Sequence, residues 1–337
     1  MFIMMKGSEL RNIPRIRTIV QCGFLFFTLF IGWRFYLFFL WAMGKSAVHV
    51  PRPPAVEGFL PIGALVGLKR LFVTGSYDMV HPAGLTILLA AIAVAFVARK
   101  GFCGWICPVG ALSNLAERTG RRLKIIRKTP RMLDIALSSI KYLLLFFFVA
   151  IIFFRMPPEA IVSFHGSTYN VVADAKMLLF FLAPSLLAGG VTLFLLLLSF
   201  VVVNPWCRWL CPYGALLGMV ALVSPVRIVR DDQACIKCQK CDRSCPAAIP
   251  VSTRQAVRDN GCVGCMACVS ACPVPGCLKV KAAHSSIHPL AIVAAGLLLF
   301  FIFWIWARLS GHWVTEIPDH LFQELYPRLR SFGHPSY

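Results

Sequence analysis

The sequence is poor in charged residues, which make up 14% of its 337 positions. Soluble domains usually carry about a quarter charged residues. Hydrophobic residues reach 58% and are grouped in long runs, so the composition excludes an ordinary soluble domain. Runs of this kind predict membrane-spanning helices, each of which needs about 20 apolar residues. We therefore expect the chain to contact membrane lipid.

Acidic residues are especially scarce, with 14 Asp and Glu against 34 Lys and Arg, and the formal net charge is +20. In a soluble protein that excess would suggest nucleic acid as the partner. The sequence contains no nucleic-acid-binding motif, so we expect no nucleic-acid partner. We instead assign the basic residues to loops that remain on the cytoplasmic side of a membrane.

Sequence motifs of several enzyme classes are also missing. There is no Walker A loop, no dinucleotide fingerprint and no nucleophile elbow. The sequence therefore offers no nucleotide-dependent or hydrolytic active site, and it identifies no catalytic residue. The heme c attachment motif C-x-x-C-H is absent as well.

Five apolar segments are long enough to predict spans, although the second is short. Basic residues are concentrated before the first segment, between the second and third, and after the fourth. The positive-inside rule then places the N-terminus and the region after the fourth span in the cytoplasm, and the C-terminal tail in the periplasm. The localisation predicted is the bacterial inner (cytoplasmic) membrane. The predicted multi-pass spans are 19–43, 83–98, 135–154, 177–203 and 287–307.

Twelve of the 14 cysteines fall into short, regular clusters followed by proline. Two runs in the region 231–283 repeat the spacing C-x-x-C-x-x-C-x-x-x-C-P, which is typical of bacterial ferredoxins. Zinc sites usually use paired C-x-x-C knuckles instead, so the pattern favours two [4Fe–4S] clusters over zinc. In this spacing the fourth cysteine of each run ligates the other cluster. The predicted ligands are Cys235, Cys238, Cys241 and Cys272 for cluster one, and Cys262, Cys265, Cys268 and Cys245 for cluster two.

A second cysteine motif, C-x-x-x-C-P, also occurs twice. The stretches GFCGWICPVGAL (101–112) and PWCRWLCPYGAL (205–216) each follow a predicted span, which indicates an internal repeat of one span-plus-motif unit. Cysteines four residues apart share one face of a helix. Cys103, Cys107, Cys207 and Cys211 could thus hold a third metal or iron–sulfur centre; the alternatives are two redox-active dithiols or structural cysteines. The tryptophans inside the motifs, Trp105 and Trp209, fit an interfacial aromatic belt.

These residues resemble a known family. Spans that carry two C-x-x-x-C-P motifs, followed by a double ferredoxin run, are similar to the NapH family of membrane quinol dehydrogenase subunits and to the membrane half of NosR-like polyferredoxins. The resemblance covers about residues 83–282. It implies quinone as the substrate, and a periplasmic cytochrome or a ferredoxin-type protein among further redox subunits as partners. The fifth predicted span and the tail depart from the usual four-span pattern.

The resemblance gives the histidines near predicted span ends a second interpretation. Histidines there are usually solvated interfacial residues. If the chain oxidises quinol, however, His49, His81 or His165 on the predicted outer side could accept its proton, because imidazole titrates near neutral pH.

The predicted fold class is an α-helical integral membrane protein of about five spans, with an internal repeat and a small bacterial-type 2[4Fe–4S] ferredoxin-like α+β domain. The predicted function is that of a membrane-bound iron–sulfur electron-transfer protein, an oxidoreductase subunit of the quinol dehydrogenase type. The alternative is a CcoG- or NosR-like factor for the assembly or regulation of a metalloenzyme. The predicted domains are 1–82 (anchor span and outer amphipathic loop), 83–134 (second span, first C-x-x-x-C-P motif and basic loop), 135–230 (third and fourth spans with the second motif), 231–283 (cytoplasmic ferredoxin domain) and 284–337 (fifth span and outer tail).

Overall fold

A computed structural model of the chain describes residues 7–127, 129–283 and 285–333. The ends of the first and last predicted domains lie outside the described residues, as do Lys6 and Lys128 of the basic segments. The described part is mostly helical. Its α-helices are α1 (Gly7–Ala42), α2 (Pro61–Thr74), α3 (Pro82–Ala98), α4 (Pro108–Arg122), α5 (Arg131–Val149), α6 (Pro158–His165), α7 (Thr168–Val171), α8 (Ala173–Leu182), α9 (Leu186–Val201), α10 (Pro212–Leu222), α11 (Lys240–Ser244), α12 (Ala267–Ala271), α13 (Pro289–Leu309) and α14 (Asp319–Leu325).

Three helical segments are long and apolar enough to cross a membrane: Asn12–Ala42, Arg131–Arg155 and Pro289–Leu309. They correspond to the first, third and fifth predicted spans. The second predicted span is the 17-residue helix α3, which is apolar but shorter than these three. Its side chains at Leu85, Leu88 and Val94 are almost fully buried by neighbouring elements. The count of five spans is therefore not confirmed.

The fourth predicted span, 177–203, is not one continuous helix. The structure has two helices there, α8 and α9, which are bent by 71° at a short break. Pro184 lies in the break and has no backbone N–H to continue a helix, and the residue before a proline avoids helical dihedrals. Ala183 accordingly adopts φ −137° and ψ 63°. Hydropathy alone does not detect such a bend, because the residues around it are apolar apart from Ser185.

The chain divides into two compact units. Unit 1 contains the chain up to Phe26, residues Ala91–Leu145 and residues Leu193–Phe300. It includes a four-stranded antiparallel sheet with the strand order β2-β1-β3-β4. The strands are β1 (Val226–Arg230), β2 (Ala256–Val257), β3 (Leu278–Ala282) and β4 (Ser285–Ile287). Strand β1 precedes the first cysteine run and β3 follows the second, so the sheet brackets both runs and fixes where they emerge.

Unit 2 contains residues Phe27–Ala90, Phe146–Thr192 and Phe301–Tyr337, as far as they are described. Its hydrophobic core is aromatic. Phe38 packs edge-on against Phe322 and Tyr326, with ring centroids 5.6 and 6.0 Å apart. Edge-to-face pairs of this kind each add about 0.5–1.5 kcal/mol beyond the burial of their surface. They fix the segment after the last span, including α14, to the second half of α1.

Candidate metal centres

Each ferredoxin run folds into a loop followed by one short helix. In the first run, Lys237 and Gln239 have left-handed dihedrals (φ 55° for both), and α11 follows. In the second run, Gly264 and Met266 take the same conformation (φ 59° and 58°), and α12 follows. The alternation of left-handed and extended residues turns successive cysteines inward, and the shared conformation shows that the two runs are local copies of one another.

The cysteines proposed for cluster two lie together in the structure. Cys245, Cys262, Cys265 and Cys268 all line one apolar cavity. Burial and then the neighbouring thiol of Cys265 raise the pKa of Cys245 to about 12. Cys262, Cys265 and Cys268 are buried, and Cys245 is half-buried. Thiols in such a place would remain neutral unless a metal centre stabilised the thiolates. The donor set therefore fits a cluster.

The cysteines proposed for cluster one are more exposed. Cys235, Cys238 and Cys272 are half-buried, and only Cys241 is buried. The backbone N–H of Lys237 and then the guanidinium of Arg230 lower the pKa of Cys235, which favours the thiolate that a metal requires. A cluster bound by these four cysteines would therefore lie near the surface of the ferredoxin segment.

Cys277 belongs to the surroundings of this first set, which the sequence did not indicate. Its thiol is buried and lies beside both Cys235 and Cys272, one from each run. The sulfur also approaches the carbonyl oxygen of Asp231 at 3.8 Å. A cysteine five residues after the second run was the available signal, but its spacing matches no ligand pattern.

The two C-x-x-x-C-P motifs share a local structure that differs from the expected one. The first cysteine of each lies in a π-helical turn, Phe102–Ile106 or Trp206–Leu210, and not in an α-helix. The second cysteine is extended and precedes a helix that begins at the motif's proline. Proline suits the first position of a helix because its missing N–H would have no helical partner there. The prediction that both cysteines lie on one α-helical face is thus wrong.

The structure nevertheless brings the four motif cysteines together. Burial raises the pKa of Cys207 well above its ordinary value, and the neighbouring thiols of Cys107, Cys211 and Cys103 raise it further. Burial likewise raises the pKa values of Cys103 and Cys107 to about 12 and about 11. The backbone N–H of Gly214 points at the Cys211 sulfur from 3.3 Å. All four motif cysteines are half-buried. Four such thiols from two copies of one motif suit a centre that carries positive charge.

Among the described residues, no three His, Cys, Asp or Glu side chains converge closely enough for a single metal ion. The finding covers both the motif cysteines and the ferredoxin cysteines.

The first C-x-x-x-C-P motif contacts the loop of the second ferredoxin run. A side chain on Gly104 would overlap the carbonyl oxygen of Val263. The indole N–H of Trp105 donates to the carbonyl oxygen of Gly264 at 3.1 Å. On its other side, the Gly104 carbonyl oxygen accepts hydrogen bonds from Arg17 and Gln21 of α1, both at 3.0 Å. The motif is thus held between α1 and the cluster-two loop.

The second motif is anchored from two directions. Before it, the side-chain amide of Asn204 donates to the carbonyl oxygen of Pro246, the residue after Cys245, at 2.9 Å. Within it, Asp134 accepts from Trp209 at 2.7 Å and pairs with Arg208. Both Trp105 and Trp209 are buried, and each indole N–H has a hydrogen-bond partner within the protein.

Arginines beside the two ferredoxin sets allow the ligand sets to be tested. Arg230 lies beside Cys235, and Arg99 lies beside Cys262. A nearby cation stabilises the more negative, reduced form of a cluster. We expect Arg230→Gln to make only the cluster-one potential more negative, and Arg99→Gln only that of cluster two. Shifts of up to about 59 mV, a tenfold change in a one-electron equilibrium, should be visible in EPR-monitored redox titration. Arg258→Gln, at an exposed arginine, is the control, and one variant that shifts both signals equally would contradict the ligand sets.

Comparison with family models agrees with the positions of both motif types. A family described as a 4Fe-4S binding domain matches twice, at residues 80–127 and 182–229, and each copy contains one C-x-x-x-C-P motif. A family described as a 4Fe-4S dicluster domain matches residues 227–273, which contain all eight ferredoxin cysteines. The chain is therefore an iron–sulfur protein. No solved structure matches it.

Relatives extend the similarity to nearly the whole chain. YccM of Escherichia coli K12, a protein provisionally named for electron transport, is 38% identical over 97% of this chain and 94% of its own length. The ferredoxin-type protein NapH of Haemophilus influenzae is 31% identical over 50% of this chain and 55% of its own length. The regulatory protein NosR of Pseudomonas aeruginosa is 26% identical over 69% of this chain but only 30% of its own length. With its apolar helices and repeated cysteine motifs, the chain belongs to the NapH/NosR-like polyferredoxin family of iron–sulfur electron-transport proteins.

Proposed function

We propose that the chain is a quinone-linked electron-transfer subunit of the bacterial inner membrane, which passes electrons between the quinone pool and a redox partner. The observation that carries the proposal is the contact of the first C-x-x-x-C-P motif with the cluster-two loop, through Gly104 and Trp105. This contact joins the four motif cysteines, at the ends of apolar helices, to a ferredoxin segment. Quinol gives up two electrons, which most protein partners cannot accept from it directly. Bound clusters would transfer these electrons one at a time.

The proposed ligand sets follow from the positions of the cysteines. Cys235, Cys238, Cys241 and Cys272 would hold one [4Fe–4S] cluster, and the four cysteines that line the cavity would hold the second. The four motif cysteines would hold a third centre. Lys100 supports the third site, because its buried ammonium group lies near enough to Cys103, Cys207 and Cys211 to lower the pKa of each.

The exposed set of cysteines marks where a partner would meet the chain. Lys237, Lys240 and Arg243 are exposed beside it. These side chains solvate the segment, and they would also attract an acidic, ferredoxin-type redox protein at low salt. The orientation of this surface toward the cytoplasm is part of the proposal and depends on the positive-inside rule.

A second candidate function is assembly or regulation of a metalloenzyme. It is favoured by the similarity to a relative that is named a regulatory protein. In that case the clusters would not respond to quinol, and deletion of the chain would lower the metal content of a partner enzyme.

The two functions can be separated in membrane vesicles that contain the full chain. We expect ubiquinol or menaquinol to reduce the iron–sulfur clusters, as seen by EPR, to a large part of the level that dithionite reaches. Dithionite provides the control for intact clusters. Clusters that dithionite reduces but neither quinol reduces would contradict the quinone-linked function and favour the assembly factor.

A further inference from the structure

Two histidines that the sequence places near span ends are buried in unit 2 and not solvated. His81 and His165 are 2% and 3% exposed. They lie in a polar cluster with four other ionisable groups: Arg52 and Glu57, which are five residues apart in the chain, Asp78, and Asp174 of α8. Tyr326 adds a hydroxyl that donates to Asp174 at 3.0 Å. Burying so many ionisable groups together costs folding free energy, unless every group is paired. Such a cluster is therefore either fully paired or functional.

The hydrogen bonds assign a tautomer to each imidazole. Nε2 of His81 lies 2.7 Å from the carbonyl oxygen of Asn170, which can only accept, so Nε2 carries a proton. Nδ1 of His165 lies 3.0 Å from the carbonyl oxygen of Ile161 and is likewise protonated. In each ring the second nitrogen faces a carboxylate. Each imidazole therefore has one backbone carbonyl and one carboxylate as its two neighbours.

The two histidine–carboxylate pairs differ in whether a proton lies between the partners. Nε2 of His165 lies 3.2 Å from Asp78, a distance at which two acceptors require a proton between them. Nδ1 of His81 lies 3.6 Å from Glu57, beyond a hydrogen bond, and has no partner among the described residues. The first pair therefore holds a proton, and the second has an open position for one.

The charge of the cluster favours filling that position. Glu57, Asp78 and Asp174 bring three negative charges, and Arg52 brings one positive charge. The proton shared by His165 and Asp78 leaves one negative charge, which a proton on His81 would neutralise. Burial alone would lower the pKa of His81, but Glu57 raises it above its ordinary value. If these ion pairs served only to join segments, we would expect every polar atom in them to be paired. Nδ1 of His81 and Nη2 of Arg52 have no hydrogen-bond partner among the described residues.

We propose that Nδ1 of His81 accepts a proton released by quinol, and that Glu57 stabilises the imidazolium that forms. The inference rests on the proposed quinone-linked function. Oxidation of one quinol breaks two O–H bonds and yields a quinone, two electrons and two protons. The electrons go to the iron–sulfur centres, one proton goes to Nδ1 of His81, and the other goes to water. Arg52, held by Asp174, positions Glu57 through a 2.7 Å hydrogen bond.

The test follows cluster reduction by decylubiquinol or menadiol in the full chain, in lipid nanodiscs, by stopped flow from pH 6 to pH 9. A base must be neutral to accept a proton, so the wild-type rate should rise with pH through the His81 pKa, above 6.5. His81→Gln should lower the rate about a hundredfold at pH 7 and remove this rise. His49→Gln, at an exposed histidine that pairs with Asp319, is the matched control and should behave as wild type.

Two further readouts separate proton transfer from structural damage. Glu57→Gln removes the charge that raises the His81 pKa, so the rise in rate should move to lower pH, and a purely structural role would not shift it. Infrared difference spectra with ¹³C-labelled histidine should show an imidazole that gains a proton on quinol oxidation, and His81→Gln should lose that signal.

Three results would count against the site. A wild-type rate and pH profile in both variants, with quinol still reducing the clusters, would overturn this site alone. A loss of iron in His81→Gln together with an unshifted profile in Glu57→Gln would make the cluster structural and also overturn it. Wild-type protein that dithionite reduces and quinol does not would overturn the proposed function, and this inference with it.

Discussion

Replacement of Cys103 by serine should lower the iron content of the purified protein from about twelve to about eight atoms per chain. Three [4Fe–4S] clusters contain about twelve iron atoms, and the change removes the ligand set of one of them. The reason is that the thiol of Cys103 lies near those of Cys107, Cys207 and Cys211. A site of four thiolates that loses one member, and has no exchangeable solvent ligand at hand, should not retain its cluster. Iron and acid-labile sulfide analysis measures the change directly.

The other three motif cysteines should give the same result, because the four form one site. Cys22→Ser is the control, since Cys22 is an exposed cysteine of α1 outside every cluster. The EPR signals of the two ferredoxin clusters should persist in all five variants. About eight iron atoms in the wild type, unchanged by Cys103→Ser, would show that the motif cysteines bind no cluster. A titration of free thiols would then decide between redox-active dithiols and structural cysteines.

The features that the sequence predicted well are those in which the chemistry is local. A ferredoxin run encloses its cluster with cysteines three or four residues apart, so spacing alone identifies the ligand types. The same holds for the turn at each C-P step, where proline limits the dihedrals of the cysteine before it and starts the next helix. The family prediction rested on these motifs, and the relatives and family models confirm it.

Predictions that depended on regular helices were less accurate. A span prediction counts apolar residues and cannot detect a bend between them, so the break at Pro184 was missed. The π-helical turns at Cys103 and Cys207 were missed for a similar reason, because spacing of four residues suggests an α-helix by default. Turns of this type frequently occur at functional sites.

Long-range contacts could not be predicted from the sequence at all. The contact of Gly104 with Val263 joins residues far apart in the chain, and no spacing rule connects them. The buried cluster around His81 is a similar case, since Asp174 lies far along the chain from Arg52 and Glu57. A partial signal existed: Glu57 and Asp174 are acidic residues inside apolar stretches, and ionisable residues in such places are usually functional or paired.

Gly104→Ala should detach the first C-x-x-x-C-P motif from the cluster-two loop. The added methyl group would overlap the carbonyl oxygen of Val263, which belongs to the backbone and cannot rotate away. Gly104 cannot retreat on the other side either, because its carbonyl oxygen is held by Arg17 and Gln21. Overpacking of this kind costs about 1–3 kcal/mol. We expect the free energy of unfolding of unit 1 to fall by that amount, and the ferredoxin segment to become more accessible to protease.

The structure provides a matched control and a second test of the same contact. Gly23→Ala introduces the same methyl group in α1 where no atom lies within 4 Å, so it should be neutral or slightly stabilising through helix propensity. Gly218→Ala, in α10 after the second motif, would meet the carbonyl oxygen of Asn260 at 2.7 Å and should resemble Gly104→Ala. If the ferredoxin segment rests on both motifs, each clash should slow cluster reduction by quinol while dithionite still reduces every cluster. Quinol-driven reduction at the wild-type rate in both variants, despite lower stability, would mean that these contacts serve folding and not electron transfer.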